Sequence, residues 1–416
     1  MDEYPVSARA QVSAANWLEA PHNRWSMWNV RQLVPTGKVS RGDGPVMALP
    51  QMAAPPDLGG LELKRVDGTT GTVDDVLADT FTDAYAVLQD GALVAERYAP
   101  DGGPDTVHAV LSVTKAMVGC VAGVLVDRGD LDEHRAITDY VPELASTGYA
   151  GATVRHVLDM RSGVAFLEDY TDPRADIRAM DKWLHGGRGL YAFLQTLELG
   201  RDHGGRFLYR SAETDVLGWV CERAAGSRMT DLLSDLLWKP MGAEYDAEII
   251  CDEVGNVVHD GGLLATARDL LRLGQLLLNQ GTVRLTEGEP QRVLPLRWLR
   301  QAWAVDADVR TAFAESPAES SFPGGWYRNQ FWFRVGEHGT VLLCLGIHGQ
   351  MVYVSRRTGT VCVKLSGWPD AQAPGFLQDT LRAFDAISGS LTGAESTGAR
   401  PGLPGVVSGL SRGGRE

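Results

Sequence analysis

The chain predicts an α+β fold: one antiparallel sheet backed by helices, with a mainly helical region, about 130–280, inserted between the first and last strands. Three observations predict it. Residues 84–88 and 93–98 are strand-like runs flanking Gln89-Asp90-Gly91-Ala92, and Asp-Gly between two such runs is a strong hairpin signal. Three further runs, 341–346, 351–355 and 360–366, carry apolar and β-branched residues near the other end of the chain. The intervening sequence is dominated by helical patterns. Strands, then helices, then strands again fit one sheet with helices packed on it.

Residues 1–75 are irregular and rich in Pro and Gly, with Trp17, Trp25 and Trp28 around Pro21-His22-Asn23-Arg24-Trp25. Three tryptophans argue for a lead-in that wraps the main domain, 76–387. After the hairpin, a long apolar helix opens at Ser112 and ends at Gly129, a glycine C-cap. A helix over 153–160 starts on Thr153 as N-cap, with Val154, Val157 and Leu158 on one face. The charged stretch 167–190 has the composition of a loop lining a cleft. Helices follow over 212–225, capped by Gly226, then over 229–237 and 267–278. Pro374 opens the last helix, with Leu377, Leu381 and Phe384 on one stripe. After Ile387 the composition collapses to Gly, Ser, Arg, Thr and Pro, so 388–416 reads as a disordered tail. Within it, Gly409-Leu410-Ser411-Arg412-Gly413 matches a nucleophile elbow but lacks the strand and helix that motif requires.

Composition narrows the partners. The 416 residues are 44% apolar and carry a formal charge of −14. That charge argues against nucleic acid and against an anionic membrane surface. Cys120, Cys221, Cys251, Cys344 and Cys362 form no C-x-x-C pair and read as buried thiols of a reducing compartment. Met1-Asp2-Glu3-Tyr4-Pro5 is acidic and has no signal-peptide pattern behind it. No apolar run approaches the ~18 residues of a membrane span. The expected setting is cytoplasmic. The nine histidines show no metal-ligand spacing, and no Walker A or dinucleotide fingerprint occurs. No metal and no cofactor are expected.

The chemistry starts at Ser112-Val113-Thr114-Lys115. Residues three apart share a helix face, so an amine sits one turn from a hydroxyl. A helix N-terminus adds unpaired N–H groups and a positive dipole end, which favour a nucleophilic serine. Lysine titrates near ~10.4 in water. As a neutral base it must be desolvated or placed near a positive charge, and the apolar helix start is expected to supply the first. Tyr209 is the second base candidate, because a tyrosine near a lysine can share one mobile proton with it.

Ser112-x-x-Lys115, then Tyr209-x-Ser211, then a late strand ending in glycine, resembles the serine β-lactamase and penicillin-binding superfamily, on its class C side. A closer likeness is to the nylon-oligomer (6-aminohexanoate-dimer) hydrolases of that superfamily. The pieces include Pro21-His22-Asn23-Arg24-Trp25, Tyr140-Val141-Pro142-Glu143-Leu144, Glu168-Asp169-Tyr170 and Thr214-Asp215-Val216-Leu217. Thr266-Ala267-Arg268-Asp269-Leu270, Gly346-Ile347-His348-Gly349-Gln350 and Val363-Lys364-Leu365-Ser366 continue the series in order. The resemblance implies a β-lactamase-like fold with Ser112 as nucleophile and Lys115 with Tyr209 as base. It further implies an oxyanion hole from the N–H groups of Ser112 and Ile347, with Gly346 permitting close approach. A register using Gly349 and Gln350 is the alternative. Tyr170 would sit over the leaving nitrogen, while Asp181 and Asp260 would line the substrate pocket. Asp181 would pair with a substrate ammonium.

Cys344-Leu345-Gly346 stands where the superfamily has K-T-G, so the lysine that grips a β-lactam carboxylate is missing. Asp260 and Glu213 replace uncharged residues and add two negative charges near the cleft. His348, Asp159 and Asp269 read as structural. The activity implied is hydrolysis of a small linear amide through an acyl-enzyme. The alternatives are a carboxylesterase of the same fold and a catalytically silent binding module. The expected partner is a small amide or ester substrate, with room for a homodimer.

Overall fold

The computed structural model describes residues 6–184, 186–286 and 289–393. The Asp-Gly hairpin forms as read: β1 (Thr82–Gln89) and β2 (Ala92–Tyr98) pair antiparallel, with Asp90 and Gly91 both at positive φ. Five more strands complete a sheet with them. These are β3 (Trp326–Arg328), β4 (Phe331–Gly336), β5 (Gly339–Gly346), β6 (Gln350–Ser355) and β7 (Thr360–Ser366). The order across the sheet is β3-β4-β5-β6-β7-β1-β2, antiparallel throughout. The first hairpin therefore docks on the last strand, and everything between is inserted.

Both faces of this sheet are covered, and the period-two alternation of strands sorts the side chains. Ala84, Ala86, Leu88, Val361 and Val363 face the larger core, with helices α1 (Thr114–Arg128), α2 (Ser211–Ala225) and α3 (Ala267–Leu278). Tyr85, Val87 and Cys362 face the other way, toward Leu381 and Phe384 of α4 (Pro374–Ser390). Helix α1 is buried along almost its whole length. It ends at Gly129 in the left-handed conformation, as its sequence predicts. Gly119 lets it lie on the β3–β4 turn, since a Cβ there would stand 2.5 Å from the Asn329 carbonyl oxygen.

The expectation of one sheet is incomplete. A second, four-stranded sheet has the order Thr36–Val39, Ala247–Ile250, Leu263–Ala265, His108–Ala109. Its strands are two to four residues long and pair across large sequence separations, such as Thr36 with Ile250. Neither length nor local pattern announces them. Trp17, Trp25 and Trp28 are buried, and the stretch 1–75, read as irregular, carries strands Thr36–Val39, Glu62–Lys64 and Thr70–Thr72.

Two further expectations shift. The stretch 167–190 does border a cleft, but it contains a helix, Asp176–Leu184, with Ile177 and Met180 buried. Helix α4 runs past residue 388 to Ser390, and Leu391 is buried beyond it. The disordered tail expected from 388 therefore does not begin there. Residues 394–416, including the Ser411 motif, lie outside the described residues.

Candidate active site

Ser112 sits in a single helical turn, Leu111–Val113, directly before α1. Leu111 is held at φ 47°, an unfavourable conformation for a branched side chain. The turn is pinned from several sides. Val110 N–H donates to Leu263 O (3.0 Å), and Thr114 Oγ1 donates to Leu111 O (2.6 Å) while accepting from Leu263 N–H (3.0 Å). The short second sheet therefore fixes the backbone on which the candidate nucleophile stands.

Lys115 Nζ lies 2.9 Å from Ser112 Oγ, 3.1 Å from Ser211 Oγ and 2.7 Å from the Asp260 carbonyl oxygen. The Asp260 carboxylate is 3.5 Å away, and Nζ stands 5.1 Å above the Tyr209 ring. The sequence reading of a desolvated, neutral lysine is corrected here. Burial does push its pKa down, but Tyr209, Asp260, Glu168 and Asp215 together outweigh it and raise the value above that of an ordinary lysine. The carboxylates around Lys115 favour its ammonium form. The Tyr209 phenol faces Ser112 and Lys115, which both favour its ionisation. Burial outweighs them, and its pKa is also raised.

Two cavities meet at this point. One, of about 110 Å³, is bordered by Trp17, Met180, Leu184, Asp181 and Asp260, with Arg178 on the same wall. The other, of about 240 Å³, is bordered by Tyr209, Phe322, Trp332, Trp368 and Gln350. Ser112, Tyr170 and Ile347 border both. Gly346 ends β5 against the nucleophile turn: a Cβ on it would lie 2.7 Å from the Val110 carbonyl oxygen. The turn after it is tied down by His348, whose Nδ1–H donates to Trp368 O (2.7 Å), which makes His348 structural. Asp159 holds Arg155 and Arg328, and Asp269 caps the loop at Glu244 and Tyr245, both as read.

Glu213 is a correction. It is fully buried, pairs with Arg210 (2.6 Å) and accepts from Ser162 Oγ (2.7 Å), and it borders neither cavity. Its charge is answered inside the protein. Cys251 is half-buried where a buried thiol was read; the other four are buried.

Glu168 and Ser211 were quoted from the sequence without a role. Glu168 accepts from Ser211 N–H (2.6 Å), Ser211 Oγ–H (2.7 Å) and Tyr170 O–H (2.8 Å). Asp215 is fully buried, and its carboxylate accepts from His259 N–H (2.9 Å) and Asp260 N–H (3.1 Å), fixing the loop that faces Lys115. The Tyr209-x-Ser211 spacing was the available signal for Ser211. Nothing marked Glu168 as more than a polar loop residue.

The beta-lactamase family model matches residues 72–384. The chain is 37% identical over 401 residues to a 6-aminohexanoate-dimer hydrolase from Paenarthrobacter ureafaciens, covering 92% of this chain and 97% of that protein. Among solved structures, a candidate 6-aminohexanoate-dimer hydrolase from Bacillus anthracis superposes with a TM-score of 0.81 at 25% identity, covering 94% of this chain and 99% of that one. A family VIII carboxylesterase shares the fold, with a TM-score of 0.56 at 16% identity over 76% of this chain and 96% of its own. With the family model spanning residues 72–384 and a relative 37% identical over nearly the whole of both chains, the chain belongs to the beta-lactamase family of serine hydrolases, alongside its 6-aminohexanoate-dimer hydrolases.

Proposed function

We propose that this protein hydrolyses a small linear amide of the 6-aminohexanoate-dimer type through an acyl-enzyme on Ser112. The observation that carries this reading is the meeting of two apolar-walled cavities at Ser112, with Lys115 Nζ 2.9 Å from its hydroxyl. An extended substrate would lie across both, with its scissile carbonyl at Ser112.

In the proposed sequence Ser112 Oγ attacks the carbonyl and its proton passes to the Tyr209–Lys115 pair. The oxyanion is held by the N–H groups of Ser112 and Ile347. The C–N bond breaks as the amine takes a proton, and water then attacks the ester with the same pair as base. Asp181 and Asp260 border the smaller cavity and favour an ammonium on the acyl half. Among the described residues, those bordering the larger cavity include no cation. With Cys344-Leu345-Gly346 in place of K-T-G, this disfavours β-lactams. Five thiols without a disulfide support a reducing, cytoplasmic setting.

The esterase reading has one specific support: the Tyr170 hydroxyl donates to Glu168 instead of into the cleft. Esters need less help for the leaving group than amides do. The test is direct. Wild type should take up a fluorophosphonate probe at Ser112 and cleave 6-aminohexanoate dimer, and Ser112→Ala should lose both by at least ~10³-fold. Turnover of p-nitrophenyl acyl esters without dimer cleavage would replace amidase by esterase. No labelling, with Ser112→Ala indistinguishable from wild type, would leave a binding module. Chromogenic cephalosporin should remain uncleaved.

A further inference from the structure

An unbroken hydrogen-bonded chain leaves the nucleophile and returns to the cleft at Tyr170. Lys115 Nζ bonds Ser112 Oγ (2.9 Å) and donates to Ser211 Oγ (3.1 Å). Ser211 Oγ donates to Glu168 Oε1 (2.7 Å), and Tyr170 O–H donates to the same oxygen (2.8 Å). Ser211 N–H fixes the other carboxylate oxygen at 2.6 Å. Both ends of the chain, Ser112 and Tyr170, border both cavities. Resting on the reading of Ser112 as nucleophile, we propose that Glu168 is a positioning residue that relays the nucleophile's proton through Ser211 to Tyr170, and so to the leaving group.

Hydroxyl valence sets the direction of each bond. A phenol has one proton to give. While Glu168 is a carboxylate, Tyr170 spends that proton on it and can only accept from the substrate N–H. Once Glu168 is a neutral acid, its own O–H donates to Tyr170, and the phenolic proton is free to point at the leaving nitrogen. The protonation state of Glu168 thus switches Tyr170 between acceptor, suited to binding an amide, and donor, suited to expelling an amine. Burial, its largest influence, raises the Glu168 pKa above the ordinary carboxyl value against the opposing pull of Lys115 and its hydrogen bonds. That brings it nearer to the range in which a carboxyl exchanges protons at neutral pH.

The protons balance. The Ser112 Oγ–carbon bond forms, and the serine proton goes to the Tyr209–Lys115 pair. As the carbon–nitrogen bond breaks, the amine takes the Tyr170 proton and Tyr170 takes one from Glu168. The proton Glu168 gives is the serine's own, passed beforehand from Lys115 through Ser211 Oγ, so Glu168 ends as the carboxylate it began as. One proton has moved from serine to amine, and every relay group is restored. In deacylation the water proton enters the same pair and returns to Ser112 Oγ.

The test is Glu168→Gln on a series with a common 6-aminohexanoyl group and leaving groups of rising basicity: p-nitrophenyl ester, methyl ester, p-nitroanilide and the 6-aminohexanoate dimer. Glutamine keeps the shape and has no proton to relay. The loss in kcat should grow along the series, at least ~10-fold larger for a basic leaving group than for p-nitrophenoxide, with KM moving little. Tyr170→Phe should show the same gradient, and the double variant should lose no more than either single one. Ser211→Ala breaks the chain at a different link and should reproduce the gradient even if Glu168→Gln folds poorly. A uniform loss across the series, or no loss, overturns the relay. The two esters alone read the gradient, so a wild type that leaves the dimer intact would sink the amidase assignment and still decide this proposal.

Discussion

Asp260 is the residue from which a pH response of this chain's own is expected. Its carboxylate lies 3.5 Å from Lys115 Nζ, and its carbonyl oxygen accepts from the same ammonium at 2.7 Å. A carboxylate at that distance favours the charged amine. Tyr209, Glu168 and Asp215 act in the same direction, so Lys115 is raised although it is buried. A protonated Lys115–Tyr209 pair cannot take the serine proton, so activity should climb with pH as the pair loses a proton. Asp260→Asn removes one negative charge and keeps the backbone contact. Lys115 then releases its proton at lower pH. The rising limb of kcat/KM should move down by about one pH unit, lifting the rate at pH 7 several-fold. A pH–rate profile of both proteins checks it, and an unmoved limb would show that Asp260 does not govern the base.

At the level of elements, the site depends on the end of β5 meeting the turn before α1. Gly346 has no room for a side chain: a Cβ would stand 2.7 Å from Val110 O and 3.0 Å from Gln350 Cβ. The turn beyond it, with His348 at φ 56° and Gly349 at φ 90°, is anchored to Trp368 O by His348 and to Ser366 O by Gln350, each at 2.7 Å. Gly346→Ala should push the Ile347 N–H out of line with the Ser112 N–H. The expected loss is ~10²-fold in kcat for esters and amides alike, with KM and the circular dichroism spectrum near wild type. A kcat within threefold of wild type would point to the register that uses Gly349 and Gln350. The strands behind this arrangement were legible where they alternate, as in β7, or turn on Asp-Gly, as between β1 and β2. The β3–β4 hairpin was not, because its turn is Asn329-Gln330, at φ 55° and 68° with no glycine, between short aromatic runs. Ser112, Lys115 and Tyr209 were legible because each carries reactive chemistry at a recognisable spacing. Glu168 was not, since a loop glutamate is solvated by default and only the packing of 167–170 onto Ser211 turns it inward.

Across the whole molecule, one titrating amine is locked in the interior. Lys364, on β7, is fully buried; its Nζ donates to Thr80 O (3.1 Å) and to Ser366 Oγ. Nearby, Asp83 of β1 pairs with Arg24 of the lead-in (2.8 Å) and lies 3.4 Å from His108 Nε2. One polar knot therefore joins the lead-in, the first strand, the last strand and the second sheet. Burial lowers the Lys364 pKa to about 7, with Arg24 adding to the effect and Asp83 opposing it. In the unfolded chain the same amine titrates near ~10.4. Between those two values the unfolded state binds more protons than the folded one, so this lysine makes stability rise with pH through that window. Lys364→Met removes the titrating group. Thr80 O keeps the Trp368 Nε1–H bond at 2.9 Å, so no backbone acceptor is orphaned. The variant should be more stable than wild type at pH 7 by about 1–3 kcal/mol, with the gap closing as pH approaches 10. Guanidinium unfolding of both proteins at several pH values from 7 to 10 measures this. Parallel stability curves would mean that Lys364 stays charged inside the fold, held by Asp83.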